Sequence, residues 1–104
     1  MLEYISRLDE VEALLQNKPD SALTILKQFK REGSQAEQAK YALLYSAALD
    51  KNHIKITDDS LIQKAWSYYA HRPKNLRNQC RTLYYWGRIK LRAGDKPGAL
   101  RLFL

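Results

Sequence analysis

An all-α fold built from helical hairpins is what this chain predicts, and three observations carry that prediction. Apolar residues recur at helical spacing along most of the length. Gly, Pro and Asn fall where those runs stop, and no stretch alternates apolar and polar as a strand would. Near the end, Leu83, Trp86 and Gly87 are followed by Gly94-Asp95 and then by Ala99 and Phe103. Small residues stand where two helices must touch, bulky ones where they must lock, and a tight turn joins them. With 104 residues, 45% of them hydrophobic, and only four Gly and three Pro, the chain suits one small helical domain spanning residues 1–104.

Six helices fit the pattern. The first runs from about Glu3 to Gln16, with Ile5, Leu8, Val11, Leu14 and Leu15 on one face, and Asn17-Lys18-Pro19 ends it. Pro19 suits the first turn of a second helix, where its missing N–H costs nothing. That helix turns Ala22, Leu23, Ile25, Leu26 and Phe29 inward and stops at Gly33. Ser34 followed by Glu37 reads as a capping box, opening a third helix from about Gln35 to Lys51 with Tyr41, Leu44, Tyr45 and Ala48 on its stripe. After a loop from Asn52, Thr57 or Asp58 caps a fourth helix carrying Leu61, Ile62, Ala65, Trp66 and Tyr69. Pro73 separates it from a fifth, about Asn75 to Ala93. Gly94-Asp95 turns the chain, and Pro97 starts a sixth that is still running at Leu104. The helices pair as about 3–32, 35–71 and 75–104.

A repeat underlies the pairs. Ala99 and Ala65 lie 34 residues apart, each with an aromatic residue four positions later, Phe103 and Tyr69. Ala22 lies 43 residues before Ala65 and has Leu26 at the same offset. On these residues the chain resembles the tetratricopeptide-repeat (TPR) family. Leu83, Trp86 and Gly87 take the first-helix positions, Gly94-Asp95 the turn, and Ala99 and Phe103 the second-helix positions, while Lys90 replaces the family's Tyr. The resemblance implies a right-handed α-solenoid of about three antiparallel helix pairs that binds other proteins.

Pro19-Asp20-Ser21-Ala22-Leu23, Leu49-Asp50-Lys51-Asn52 and Asp58-Asp59-Ser60-Leu61-Ile62 are similar to TPR-like proteins of Bacteroides-type bacteria. That likeness implies a lipoprotein or signalling context. It places the full-length protein in the cell envelope, periplasmic or membrane-anchored, with the cytoplasm as the alternative. The apolar run Leu100, Leu102, Phe103, Leu104 leads to the expectation that this is a fragment followed by further repeats, or that this end self-associates. No secretory leader is legible in Met1-Leu2-Glu3-Tyr4.

The net charge of +7 is unevenly spread. Residues 1–70 hold nine Lys/Arg against ten Asp/Glu, a net of −1, whereas residues 71–104 hold nine Lys/Arg against Asp95 alone, a net of +8. Such an asymmetry points to a partner. On a wheel turning about 100° per residue from Arg77, Arg81 falls at about 40°, Tyr84 at about −20°, Arg88 at about 20° and Arg92 at about 60°. Leu83, Trp86, Gly87 and Lys90 fall at about 180–280°, so the arginine stripe is expected roughly opposite the packing face. By the family resemblance, Arg81, Tyr84, Arg88 and Arg92 line the concave groove, which in such proteins takes extended peptides.

Arginine grips carboxylate or phosphate with two parallel bonds, so Arg77, Arg81, Tyr84, Arg88 and Arg92 are the expected partner-binding residues and the expected partner is an acidic protein or peptide. A nucleic acid is the alternative, since Tyr84 and Tyr85 beside the arginines suit base stacking. On this reading, reversing Arg88 and Arg92 to Glu leaves folding nearly unchanged.

Chemistry finds little purchase. His53 and His71 have no Cys, Asp or Glu at ligand spacing, so neither a metal nor another cofactor is expected. Asp58-Asp59 reads as a helix cap. Cys80 reads as a small buried helix residue, and no histidine is placed to make it a nucleophile. Gly-rich phosphate loops and nucleophile elbows are missing, so the expectation is that the chain is not an enzyme. No run of 18 apolar residues occurs, which excludes a spanning helix.

Overall fold

The computed structural model describes residues 2–29 and 33–103, with side chains from Arg7 onward. Among these residues it is all-helical. The elements are α1 (Leu2–Asn17), α2 (Pro19–Lys27), α3 (Gln35–Lys51), α4 (Ser60–Tyr69), a 3₁₀ turn (Pro73–Asn75), α5 (Leu76–Arg92) and α6 (Lys96–Phe103). The bounds of α3 are those expected. Helix α2 ends at Lys27, before the expected stop at Gly33; residues 30–32 and Leu104, over which two helices were expected to run, lie outside the described residues.

Each boundary has a local cause. Pro19 occupies the first turn of α2, and the Lys18 carbonyl accepts from Ala22 N at 3.1 Å. At α3 the capping box is complete: Ser34 Oγ accepts from Glu37 N, and Glu37 Oε1 accepts from Ser34 N, both at 3.2 Å. Gly94 turns the chain from α5 into α6 at φ 83°, a left-handed conformation that side chains with a Cβ adopt at a cost. Asp95 Oδ1 then accepts from Gly98 N at 3.0 Å, closing the start of α6.

Helix α1 packs on α2 and α3, α3 on α4 and α5, and α5 on α6, while α2 also meets α3 and α4 also meets α5. Helix α3 is therefore central. It buries Ala39, Tyr41, Ala42, Leu43, Leu44, Ser46, Ala47 and Ala48, positions on nearly every side, where the sequence suggested one stripe. Around it lie Leu8, Val11 and Leu15 of α1, Ala22, Leu23 and Leu26 of α2, Ile62, Ala65 and Tyr69 of α4, and Tyr85 and Ile89 of α5. Polar side chains tie the ends. Asn52 Nδ2 donates to the carbonyls of Pro19 and Ala48 at 2.8 and 2.7 Å, and Gln79 Nε2 donates to Tyr69 O at 2.7 Å. Burial pushes the Tyr69 hydroxyl up to about 12. No helix among the described residues is long and apolar enough to cross a membrane.

Candidate functional site

Helices α1, α3 and α5 share one face, and an ionic ladder crosses it. On α3, Lys40 Nζ reaches Asp9 and Glu12 of α1 at 2.5 and 3.4 Å. From α5, Arg81 Nη1 meets Glu12 Oε1 at 2.7 Å. Arg88 Nε donates to both oxygens of Asp50 at 2.9 and 2.8 Å, and Arg92 Nη2 lies 2.7 Å from Asp50 Oδ1. Arg92 Nη1 also donates to the Ile54 carbonyl at 2.9 Å. The ladder joins residues 38 and 69 positions apart in sequence.

Burial alone pushes the Glu12 carboxyl up, but the hydrogen bond and charge of Arg81, with Lys40 beside it, outweigh burial and hold its pKa below the ordinary 4.5. The bond to Asp50 raises Arg88 further above its ordinary range.

The predicted stripe on α5 is thus brought together, but not in the setting expected. Its members do not lie opposite a single packed side. Thr82, Tyr85 and Ile89, at about 80–140° on the same wheel, pack inward beside the arginines. Arg81, Arg88 and Arg92 stand on the flank of that packed sector, where α1 and α3 offer carboxylates. Reversing Arg88 and Arg92 would place two more carboxylates against Asp50, so the expectation that folding is indifferent to this change is corrected. Of the five predicted residues, Arg77 and Tyr84 face solvent. Arg77 is exposed and engages no described residue. Tyr84 lies edge-on to Tyr85, with the Arg88 guanidinium 5.9 Å from its ring. Tyr85 is 9% exposed, its hydroxyl pushed up by burial, and is not a surface for stacking bases.

Two further readings change. Cys80, expected to be buried, is exposed. Asp58 does act at the start of α4, accepting from Ser60 N at 2.8 Å. Asp59 instead crosses to α5: its Oδ2 accepts from Trp86 Nε1 at 2.9 Å and lies 3.4 Å from Lys90 Nζ. Lys90 thereby braces α4 against α5 with charge. Leu83 and Trp86 are half-buried, while Gly87 is fully packed, its α-carbon so near the Phe103 ring that a Cβ would overlap it.

Asp9, Glu12, Lys40 and Asp50 are the members of this face that sequence reasoning missed. The repeat signal aligned second helices only, so nothing set α1 and α3 in register with α5. A shallow depression of about 180 Å³ opens on the face between Arg88, Leu91 and Arg92. A larger cleft of about 330 Å³ between α3 and α4 contains none of the predicted residues. It is lined in part by Lys64 and by Arg72, whose guanidinium stacks 3.5 Å above the Tyr68 ring. Among the described residues, no three His, Cys, Asp or Glu side chains converge as metal ligands would.

Against models of known protein families, curated proteins and solved structures, the chain finds no match.

Proposed function

We propose that this chain is a protein–protein interaction module, the scaffolding or sensory part of a larger protein, whose three helix pairs stack as a short TPR-like solenoid and whose odd-numbered helices present a face to an acidic partner. The stacking is supported by the packing order: each odd helix touches its own even partner and the next odd helix. The module binds without performing chemistry.

One observation carries the choice of partner. Two arginines share the single carboxylate of Asp50, and the Arg88 guanidinium, which holds it through Nε, lies beside Tyr84 and the depression at Leu91. Arg77, exposed and unpaired among the described residues, adds a cation one turn before Arg81. The carboxylates of an acidic segment lying along Arg77, Tyr84, Arg88 and Arg92 meet a row that is cationic as it stands, with Arg81 fixed by Glu12 behind it. Base stacking is poorly served, because of Tyr84 and Tyr85 only Tyr84 is exposed.

The test is fluorescence anisotropy with an acidic peptide and a single-stranded oligonucleotide of equal charge, across a salt series. Peptide binding that survives moderate salt and is lost in Arg77→Glu is expected. Oligonucleotide binding with a steep salt slope and no peptide preference overturns the reading.

A further inference from the structure

The cleft between α3 and α4 lies in the middle of the chain, lined by residues from 35–39 and 64–72. No member of the ionic ladder is among them. Its volume of about 330 Å³ is at the small end of the range for ligand sites.

Its charge is of one sign. Lys64 and Arg72 line it, and no Asp or Glu does. Residues 60–94 contain no Asp or Glu, so α4 and the turn after it offer these cations no local counter-charge. Glu37, the acidic residue of α3 at this end, is spent on the helix start, where its Oε1 accepts from Ser34 N. Lys40, Arg81, Arg88, Lys90 and Arg92 each hold a carboxylate, whereas Lys64 and Arg72 hold none among the described residues.

Arg72 is also set in place. Its guanidinium lies 3.5 Å over the Tyr68 ring, and its Nη1 donates to the Tyr68 carbonyl at 2.8 Å. These contacts hold one face and one nitrogen of the group. They also draw it back to the level of Tyr68, one helical turn from Lys64. Among the neutral side chains, Ser67 Oγ is bound to Gln63 O and Gln38 Nε2 to Gly33 O. Gln35, exposed at the same cleft, keeps its amide as a further donor.

We infer that this cleft takes a phosphomonoester, borne by a small molecule or by a phosphorylated side chain. Two cations without a counter-charge match a dianion, which a phosphomonoester approaches near neutral pH and a carboxylate does not. A tetrahedral oxyanion accepts from Arg72, Lys64 and Gln35 in different directions. A carboxylate presents two oxygens in one plane, which a guanidinium fork alone engages. The site is separate from the acidic-partner face on α5 and does not rest on it.

Anisotropy on the whole chain tests it with three labelled peptides of one neutral sequence, bearing phosphoserine, glutamate or serine at the centre. The phosphoserine peptide is expected to bind ~10-fold tighter than either of the others. Lys64→Gln and Arg72→Gln are each expected to weaken it ~10-fold or more. Lys64 is exposed, so Lys64→Gln should melt as the parent does and carries the test even if Arg72→Gln loosens the end of α4. Phenyl phosphate, titrated by calorimetry, separates the sources. Binding as tight as that of the phosphopeptide, and weakened by Lys64→Gln, assigns the site to small phosphomonoesters, and much weaker binding assigns it to a phosphorylated segment. Equal binding of the glutamate or serine peptide overturns the phosphate assignment. Phosphopeptide binding lost in Arg77→Glu but kept in Lys64→Gln places the anion on α5 and overturns the site. If neither the phosphopeptide nor phenyl phosphate binds, the inference fails while the acidic-partner reading stands on its own test.

Discussion

Helix α3 and helix α5 are the same length, 17 residues, and do opposite work. Helix α3 is surrounded: nine of its residues are buried, Leu44 completely, and its first turn is closed by the Ser34–Glu37 box. Helix α5 is packed on two sides and open on a third. It shows Leu76, Tyr84 and Leu91 to solvent and carries four arginines. Stability is concentrated where apolar surface is covered, and the proposed binding surface lies where apolar and charged surface is left uncovered together. In this chain the two lie one helix apart, joined by the Asp50 cluster.

The sharpest way to break the contrast is truncation in each place. Leu44→Ala removes a completely buried side chain and is expected to cost about 2–5 kcal/mol, read by chemical denaturation. Leu76→Ala, 63% exposed on α5, is expected to stay within about 0.5 kcal/mol. Equal costs would mean that the open side of α5 is part of the core.

Gly87→Leu comes next. An added side chain meets the Phe103 ring, and overpacking of this kind costs about 1–3 kcal/mol. Because Phe103 is itself 41% exposed, the ring can swing outward. The loss is therefore expected in α6 alone, seen as faster amide exchange there with α3 unchanged, and not as unfolding of the whole chain. Exchange rising equally in α3 would show that α6 supports the core.

Asp50→Asn tests the joint between the two helices. It leaves Arg88 and Arg92 against a neutral amide at a site 14% exposed, and an expected cost of about 1–2 kcal/mol follows from losing charge-assisted bonds. Double-mutant cycles with Arg88→Ala and Arg92→Ala should show coupling. Additive effects would mean that the ladder is ornamental.

The helices, their count and most of their ends were legible because caps, prolines and the 3.6-residue period are local signals. Pro19, Ser34 with Glu37, and Gly94 each act within four residues of where they stand. The buried side of α5 was not legible. Thr82, Tyr85 and Ile89 are less apolar as a set than Leu83, Trp86 and Leu91, yet they are the ones covered, because α3 and α4 lie on that side. The arginines could be grouped from their spacing alone. Their partners, 38 and 69 residues away, required the helices to be in place first. Cys80 was misread for the same reason: a small residue on a helix is buried only if something packs over it.

Acid acts on the contacts of Glu12 and Asp59. Glu12 has its pKa held below 4.5, and Asp59 below 3.8, each because cations and hydrogen bonds outweigh burial. A depressed carboxyl stabilises the fold above its unfolded value, and that contribution disappears as pH falls through the folded value. Stability is therefore expected to be flat from neutral to about pH 5 and to fall below pH 4.5, and Glu12→Gln should flatten part of that fall. An unchanged acid profile in Glu12→Gln would remove Arg81–Glu12 from the structural account.

Arg77 is where the smallest structural effect and the largest functional one are expected together. It sits on the same helix as Arg81, Arg88 and Arg92, but those three hold carboxylates of α1 and α3 while Arg77 holds none among the described residues. Arg77→Glu is therefore expected to shift stability by under about 0.5 kcal/mol, with an unchanged melting profile. In the same protein, binding of an acidic peptide should be lost, because a cation at the mouth of the face becomes a repelling anion. Arg81→Glu is the control. It sets a second carboxylate against Glu12 and should lower stability first. If Arg77→Glu binds as the parent does while Arg81→Glu loses both stability and binding, the arginines of α5 serve to hold the helices together and the partner lies elsewhere on the molecule.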